Sequence, residues 1–391
     1  MKAGISAAGP GGSFPSQITL NADREAVTFG VNQMMAGFRF KYLGKLLLWA
    51  AFALSVYGLG GGCTRLFPHT YLHPQRFEFS RPEMGVQFRI VLYDDWPRGA
   101  TNAAEAAFKR IEDLNAICSD YDSDSELSQL SLSSGQRKKV RVSDDLWRVL
   151  QISRDLFNKS DGAFDITVGP FVNLWRKARR DQKMPDPAIL AEAKARVGFG
   201  KIRFFENEQS VELLVPNMRL DLGGIAKGYA VDEAMKVLAW HGIHICLVAG
   251  SGDIAVGEAP PGKPGWRVEI TPLDIPDGPA KSFVLLKNAG ISTSGDLSQR
   301  LEIGGVRYSH IVDPRTGVGL TDHSLVTIIG KNSVMADGLD TTVSVLGPEK
   351  GLKLVKATRG AEARIVRAPG PKLEVYETRG FKKFYAPKRL E

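Results

Sequence analysis

The stretch "MADGLDTTVSVLG", residues 335–347, places two carboxylates and a hydroxyl within one helical turn. At about 100° per residue, Asp337, Asp340 and Thr341 fall within an arc of about 100° on a helix. Met335, Leu339, Val343 and Leu346 gather opposite, as in a helix packed on a core. Oxygen ligands at i, i+3 and i+4 can converge on one hard cation such as Mg²⁺. The same pattern also suits an ordinary solvated acidic edge. Chemistry elsewhere in the chain has to separate the two.

Five further stretches carry chemistry-bearing types. "DLGGIAKGYAVDEA" joins Asp221, two glycines and a helix bearing Lys227 in its first turn. Glycines permit close backbone approach, and a helix N-terminus offers N–H groups to an anion. There is no Walker loop and no GxGxxG, so a plain strand–turn–helix corner fits equally well. "AGSGDIAVG" (249–257) and "AGISTSGD" (289–296) are small-residue turns ending in Gly-Asp. "YSHIVDPRTG" holds His310 on an expected strand, with Asp313 shaping the Asp-Pro turn. A strand His is either structural or a proton acceptor, and the lack of a GxSxG elbow argues against a serine hydrolase. "SDGAFDITVGPFVNLW" packs Phe164, Phe171 and Trp175 around Asp165, either as a loop and helix start or as the wall of an aromatic ligand's pocket.

The elements that must position these residues read as α+β. A strand is expected at 84–93, helices at 101–118 and 143–160 (Ser143 as N-cap), and strands from 201 including "MRLDLGG". A helix follows at 226–241, then more strands, the Asp337 helix, a further helix in "PEKGLKLVKATRG", and two closing strands. Elements come in groups without βαβ alternation, which predicts mixed, mainly antiparallel sheets with packed helices in one large domain, with room for two intimate subdomains. Residues 176–187 and 259–265 read as surface excursions.

The N-terminus reads as an export leader. Arg39, Lys41 and Lys45 precede an apolar run of 14 residues, 46–59, which is short for a membrane span and suited to a signal segment. It runs into "GLGGGC", resembling a lipobox with Cys63 as the lipidated residue, although Leu59 lies one position early. Residues 1–63 are therefore expected as a leader, 64–83 as an extended tether and 84–391 as the folded domain. Cys118 and Cys246 sit in apolar contexts without metal-ligand spacing. The net charge of +8 is spread among many acids with no basic block and interleaved aromatics, which excludes nucleic acid as a partner.

Taken in order, "YDSDSELSQL", "DGAFDITVGPFVNLW", "DLGGIAKGYAVDEA", "STSGD", "HIVDPRTG" and "ADGLDTTVSVLG" resemble the FAD:protein FMN transferases, the ApbE family, over roughly residues 84–385. The resemblance implies Mg²⁺-dependent cleavage of FAD, with FMN passed to a Thr or Ser of a partner protein and AMP released. It implies that Asp337, Asp340, Thr341 and the Gly224 carbonyl hold the metal. FAD contacts carry over to Met84, Tyr121, Ala163, Phe164, Asp165, Asp221, Lys227 and Ile311, and the acceptor's proton would go to His310. It further implies a lipid-anchored protein on the extracytoplasmic face of a bacterial membrane, whose acceptor is a flavoprotein of a membrane redox complex. Ser251-Gly252-Asp253, Leu297 and Ser309 depart from the family pattern around the substrate mouth. Open alternatives are an FAD pyrophosphatase using water, and an FAD-binding lipoprotein without turnover.

Overall fold

In a computed structural model the described residues are 74–273, 282–295, 300–370 and 372–387. The leader, Cys63, Asp296 and Leu297 lie outside them. The frame is an eight-stranded sheet in the order β1-β2-β6-β7-β10-β13-β14-β15, every neighbouring pair antiparallel. Its strands are β1 (Gln75–Glu83), β2 (Val86–Asp94), β6 (Cys246–Gly250), β7 (Asp253–Val256), β10 (Ala289–Gly295), β13 (Ser324–Gly330), β14 (Glu362–Arg367) and β15 (Glu374–Glu377). The smaller ladders are β3 (Val140–Arg141) with β5 (Ser210–Leu213) and β4 (Ile202–Phe205), β8 (Trp266–Ile270) with β9 (Ser282–Leu286), and β11 (Arg300–Ile303) with β12 (Val306–Ser309). The α+β expectation with mainly antiparallel pairing holds.

Strand alternation sorts the core into layers. Phe88, Ile90 and Leu92 of β2 point into one cluster with α1 (Pro97–Cys118), α3 (Asp144–Lys159) and α6 (Ala226–Trp240). Val91, between them, turns to the other face, which the β8–β9 hairpin and Phe381 cover. Helix α7 (Ser333–Ala357) lays Ala336, Leu339 and Val343 on Val326 and Ile328 of β13 and Ala363 and Ile365 of β14. Leu346 leaves that face and packs with Ala163 and Ile311 instead. The two helices expected after residue 333 are the two halves of α7, broken at Gly347 (φ 72°) before Pro348. Proline cannot continue the amide ladder, and glycine takes the positive φ.

Several expectations need correction. The tether does not extend to residue 83: Gln75–Glu83 is an edge strand fully registered on β2. Met84 is not the start of a strand but the tip of this hairpin, with φ 49° followed by Gly85 at φ 74°, the pair of positive angles that matches the twist of flanking strands. "MRLDLGG" joins no ladder, because Leu220 N–H donates to Ser131 Oγ and Asp221 N–H to the Ile166 carbonyl. Residues 176–187 are not a pure surface excursion, since α4 (Gly169–Asp181) continues into them and buries Ala178. Two helices are additional, α2 (Glu126–Leu132) and α5 (Pro187–Lys194). Ser143 caps α3 as expected, its Oγ accepting from Leu146 N–H.

Candidate active site

The acidic face of α7 is not a solvated edge. Asp337 and Asp340 are 3% and 1% exposed, so their charge has to be answered from within the protein. Asp337 Oδ2 accepts from Gly228 N–H at 2.8 Å. Gly228 is where α6 crosses α7, and a Cβ there would stand 2.7 Å from Asp337 Cβ and from the Ser333 carbonyl. Gly224 lies against Thr341 and the Phe164 ring, with 3.1 Å between a notional Cβ and Thr341 Oγ1. The four expected metal ligands therefore come together at one helix crossing.

Two more strands close the cluster with residues not singled out from sequence. Ser292 of β10 has its Oγ 2.5 Å from both Asp253 Oδ1 and Asp340 Oδ2. Lys227 Nζ lies 2.8 Å from Asp253 Oδ2 and 3.8 Å from Asp337 Oδ2. Three buried carboxylates thus face one ammonium. Burial, then the Asp253 charge, pushes the Asp337 carboxyl up to about 7, with Lys227 opposing. Burial, Asp337 and Asp253 hold Asp340 well above the carboxylate range. Burial works against the charge of Lys227, but Asp253 and Asp337 outweigh it and hold the ammonium far above its ordinary value. This excess of negative charge, with oxygen-only donors, fits a hard divalent cation. Among the described residues no three His, Cys, Asp or Glu side chains meet as a closed metal cage. The set of two carboxylates, a hydroxyl and a carbonyl is an open one, of the kind Mg²⁺ completes with water and phosphate oxygens.

Of the two readings of the Gly223-Gly224 stretch, the plain strand–turn–helix corner fits its amides better than an anion cradle. Gly223 N–H donates to Asp221 Oδ1, Ile225 and Ala226 N–H to the Leu222 carbonyl, and Gly228 N–H to Asp337. The turn instead shapes the carbonyl side and delivers Lys227.

A second charged group holds two of the other expected flavin contacts, Tyr121 and Asp221. Arg176 of α4 pairs with Asp120 and, at 3.2 Å, with Asp221. Its guanidinium lies 4.0 Å over the Tyr121 ring, which stands 77% exposed. Burial and the Asp120 charge push Asp221 up to about 6 while Arg176 opposes. The Asp165 carboxylate turns inward, accepting from Thr167 N–H and Oγ1 and from Phe199 N–H, so its side chain builds the loop. Phe171 and Trp175 are not a pocket wall: both are fully buried beneath the His310 loop, with Trp175 Nε1–H donating to the Gly317 carbonyl at 2.8 Å. His310 is not on a strand but in the bend just past β12. Its neighbour Ile311 packs with Ala163 and Val345, the latter one turn beyond Thr341. Asp313 shapes the turn as expected, accepting from Arg315 N–H, Nε and Nη2.

The sequence profile of the ApbE family matches residues 84–365, which take in every residue of this site. The chain belongs to the ApbE family. It is 34% identical over 295 residues to the FAD:protein FMN transferase of Haemophilus influenzae, covering 73% of this chain and 84% of that one. It is 30% identical over 353 residues to the FAD:protein FMN transferase of Salmonella typhimurium, covering 88% and 97%. Among solved structures, the flavin transferase ApbE from Vibrio cholerae superposes with a TM-score of 0.72 at 28% identity, covering 80% of this chain and all of that one. The apo flavinyl transferase ApbE of Pseudomonas stutzeri gives 0.71 at 29% identity, covering 81% and 98%. Within this ApbE-family chain, Asp253, Ser292 and Arg176 are the site residues that sequence reasoning missed. The Gly-Asp turns were the available signal for the first two.

Proposed function

We propose that this chain is a flavin transferase that cleaves FAD and attaches the FMN half to a Thr or Ser hydroxyl of a partner protein. The observation that carries the reading is the helix crossing that gathers Gly224, Lys227, Asp337, Asp340 and Thr341, on a chain aligned with FAD:protein FMN transferases over most of their length. The acceptor oxygen forms a bond to the FMN phosphorus, the bond from that phosphorus to the AMP oxygen breaks, and AMP leaves. Catalysis of such a transfer is mostly positioning and charge stabilisation. Mg²⁺ held by Asp337, Asp340, Thr341 and the Gly224 carbonyl would supply charge neutralisation at the pyrophosphate. Lys227 places an ammonium at the same spot. Tyr121, Ala163, Phe164, Asp221 and Ile311 orient the flavin nucleotide, and His310 takes the acceptor's proton.

Export, a lipid on Cys63, an extracytoplasmic position and an acceptor within a membrane redox complex belong to the same proposal. The first three rest on the leader's charge and apolar pattern, and the acceptor class on the family resemblance. No described helix is long and apolar enough to cross a membrane.

The test is mass spectrometry of a Thr-containing acceptor protein after incubation with the enzyme, FAD and Mg²⁺. An added FMN, lost or much slowed in His310→Ala, is the expected result. AMP released equally fast without acceptor, and no covalent flavin, would overturn transfer in favour of hydrolysis.

A further inference from the structure

Two tryptophans stand almost bare at one end of the sheet. Trp240, the last residue of α6, is 92% exposed, and Trp96, the N-cap of α1, is 73% exposed. Their shared position follows from the register. Leu92 of β2 pairs with Cys246 of β6, and Tyr93 N–H donates to the Ile245 carbonyl at 3.0 Å. Trp96 follows that rung closely, and Trp240 precedes it by one short turn. The first residue of β1, Gln75, pairs with Asp94, so the chain arriving from Cys63 reaches the domain at this same end. At the opposite end of β6, Phe88 pairs with Gly250, and Asp253 of the carboxylate cluster follows.

We propose that the Trp96–Trp240 end lies on the membrane surface, which turns the transfer site outward to solvent and to its acceptor. The inference rests on the lipid-anchored reading of Cys63. About a dozen residues separate Cys63 from Gln75, a reach of at most roughly 40 Å, so an anchored chain holds this end of the domain close to the headgroups. Tryptophan is the side chain that gains most at a bilayer interface, with an apolar ring and a polar N–H. Pro97, Arg98, Lys236 and His241 are exposed beside the pair; Lys236 is ion-paired with Glu233, and the Arg98 guanidinium suits an anionic headgroup layer. Of the carboxylates here, Asp94 accepts from Trp96 N–H, Asp94 and Asp95 are half-buried, Glu233 is paired with Lys236 at 2.5 Å, and Glu258, whose N–H donates to the His244 carbonyl, is exposed.

The test uses the full chain, taken from host membranes, in phosphatidylethanolamine/phosphatidylglycerol vesicles containing phosphatidylcholine with a nitroxide on its headgroup. Quenching of tryptophan emission is compared between the wild type and W96F/W240F, and flotation with the vesicles is read separately. The expected result is flotation of both, with roughly two-fold or greater loss of quenching in the double variant and FMN transfer to a soluble acceptor unchanged. Flotation with equal quenching in both chains overturns the inference and leaves the anchor standing. A chain that stays in solution but whose Trp96 and Trp240 emission is quenched by added vesicles keeps the inference and removes the anchor. Neither flotation nor quenching removes both, and self-association that covers the two tryptophans removes the inference alone.

Discussion

Two buried acidic clusters sit within this domain, and they differ in how their charge is answered. Around Arg176, the carboxylates of Asp120 and Asp221 meet one guanidinium, and a second, from Arg219, donates to the Asp120 carbonyl. Cations and anions are there in balance, and the Tyr121 ring caps the group. At the α6–α7 crossing, Asp253, Asp337 and Asp340 face Lys227 as their one cation among the described residues. Buried charge left uncompensated is costly unless something pairs it. The balanced cluster therefore reads as a structural scaffold, and the unbalanced one is the cluster that suits the cation proposed above.

The largest effect should fall on chemistry at the unbalanced cluster. Asp337→Ala is expected to lower AMP release from FAD by about 10² to 10³-fold, the scale seen when one charge-stabilising group is removed from a reaction site. Chromatographic measurement of AMP checks it, and near-normal rates would mean that the cluster is structural like its counterpart. Arg176→Ala should break the balanced cluster differently. It strands two buried carboxylates and should cost about 3 kcal/mol or more of unfolding free energy in urea. A loss of activity with unchanged stability would erase the distinction between the two clusters.

Adding a divalent cation sharpens the contrast further. Mg²⁺ at about a hundred times its dissociation constant should stabilise the wild type by about 2.7 kcal/mol relative to chelator. Asp340→Ala should abolish that gain in a thermal melt. Asp120→Asn, placed in the other cluster, should keep it.

How much of this was legible in the sequence follows the same divide. The α7 site could be seen because its carboxylates and its core residues fall on opposite faces of one helix, a local pattern with a period. Asp253 and Ser292 could not be, because β7 and β10 bring them in from distant parts of the chain and each looked like an ordinary tight turn. Arg176 was hidden in "WRKARRD", where a run of cations suggests solvent, although Trp175 and Ala178 beside it are buried. Strand β1 left a weak signal, Phe77 and Phe79 at a spacing of two, and Pro82 argued against it. On an edge strand, proline is tolerated. His310 was expected within a strand that in fact ends one residue before it, at Ser309, where Ser309 Oγ accepts from Ile311 N–H and bends the backbone.

The smallest expected effect concerns what aims α7 at the site. Asp232 of α6 accepts from Ser333 and Val334 N–H, each at 2.8 Å, capping the helix that carries Asp337 and Asp340. Asp232→Ala leaves these amides without that acceptor and should cost about 1 to 2 kcal/mol. Burial pushes the Asp232 carboxyl up to about 6, against the two amides that favour its charge. A carboxyl raised on folding binds its proton more tightly in the native state, so its contribution is fully present below its ordinary value of 3.8. That contribution is lost as pH rises through about 6. Urea unfolding between pH 4 and pH 7 should show the wild type losing on the order of 2 kcal/mol from this group. Asp232→Asn, which keeps an acceptor but cannot ionise, should flatten that part of the slope. An equal slope in both would mean that the helix cap is not what titrates, and α7 would owe its aim to the Gly228 crossing alone.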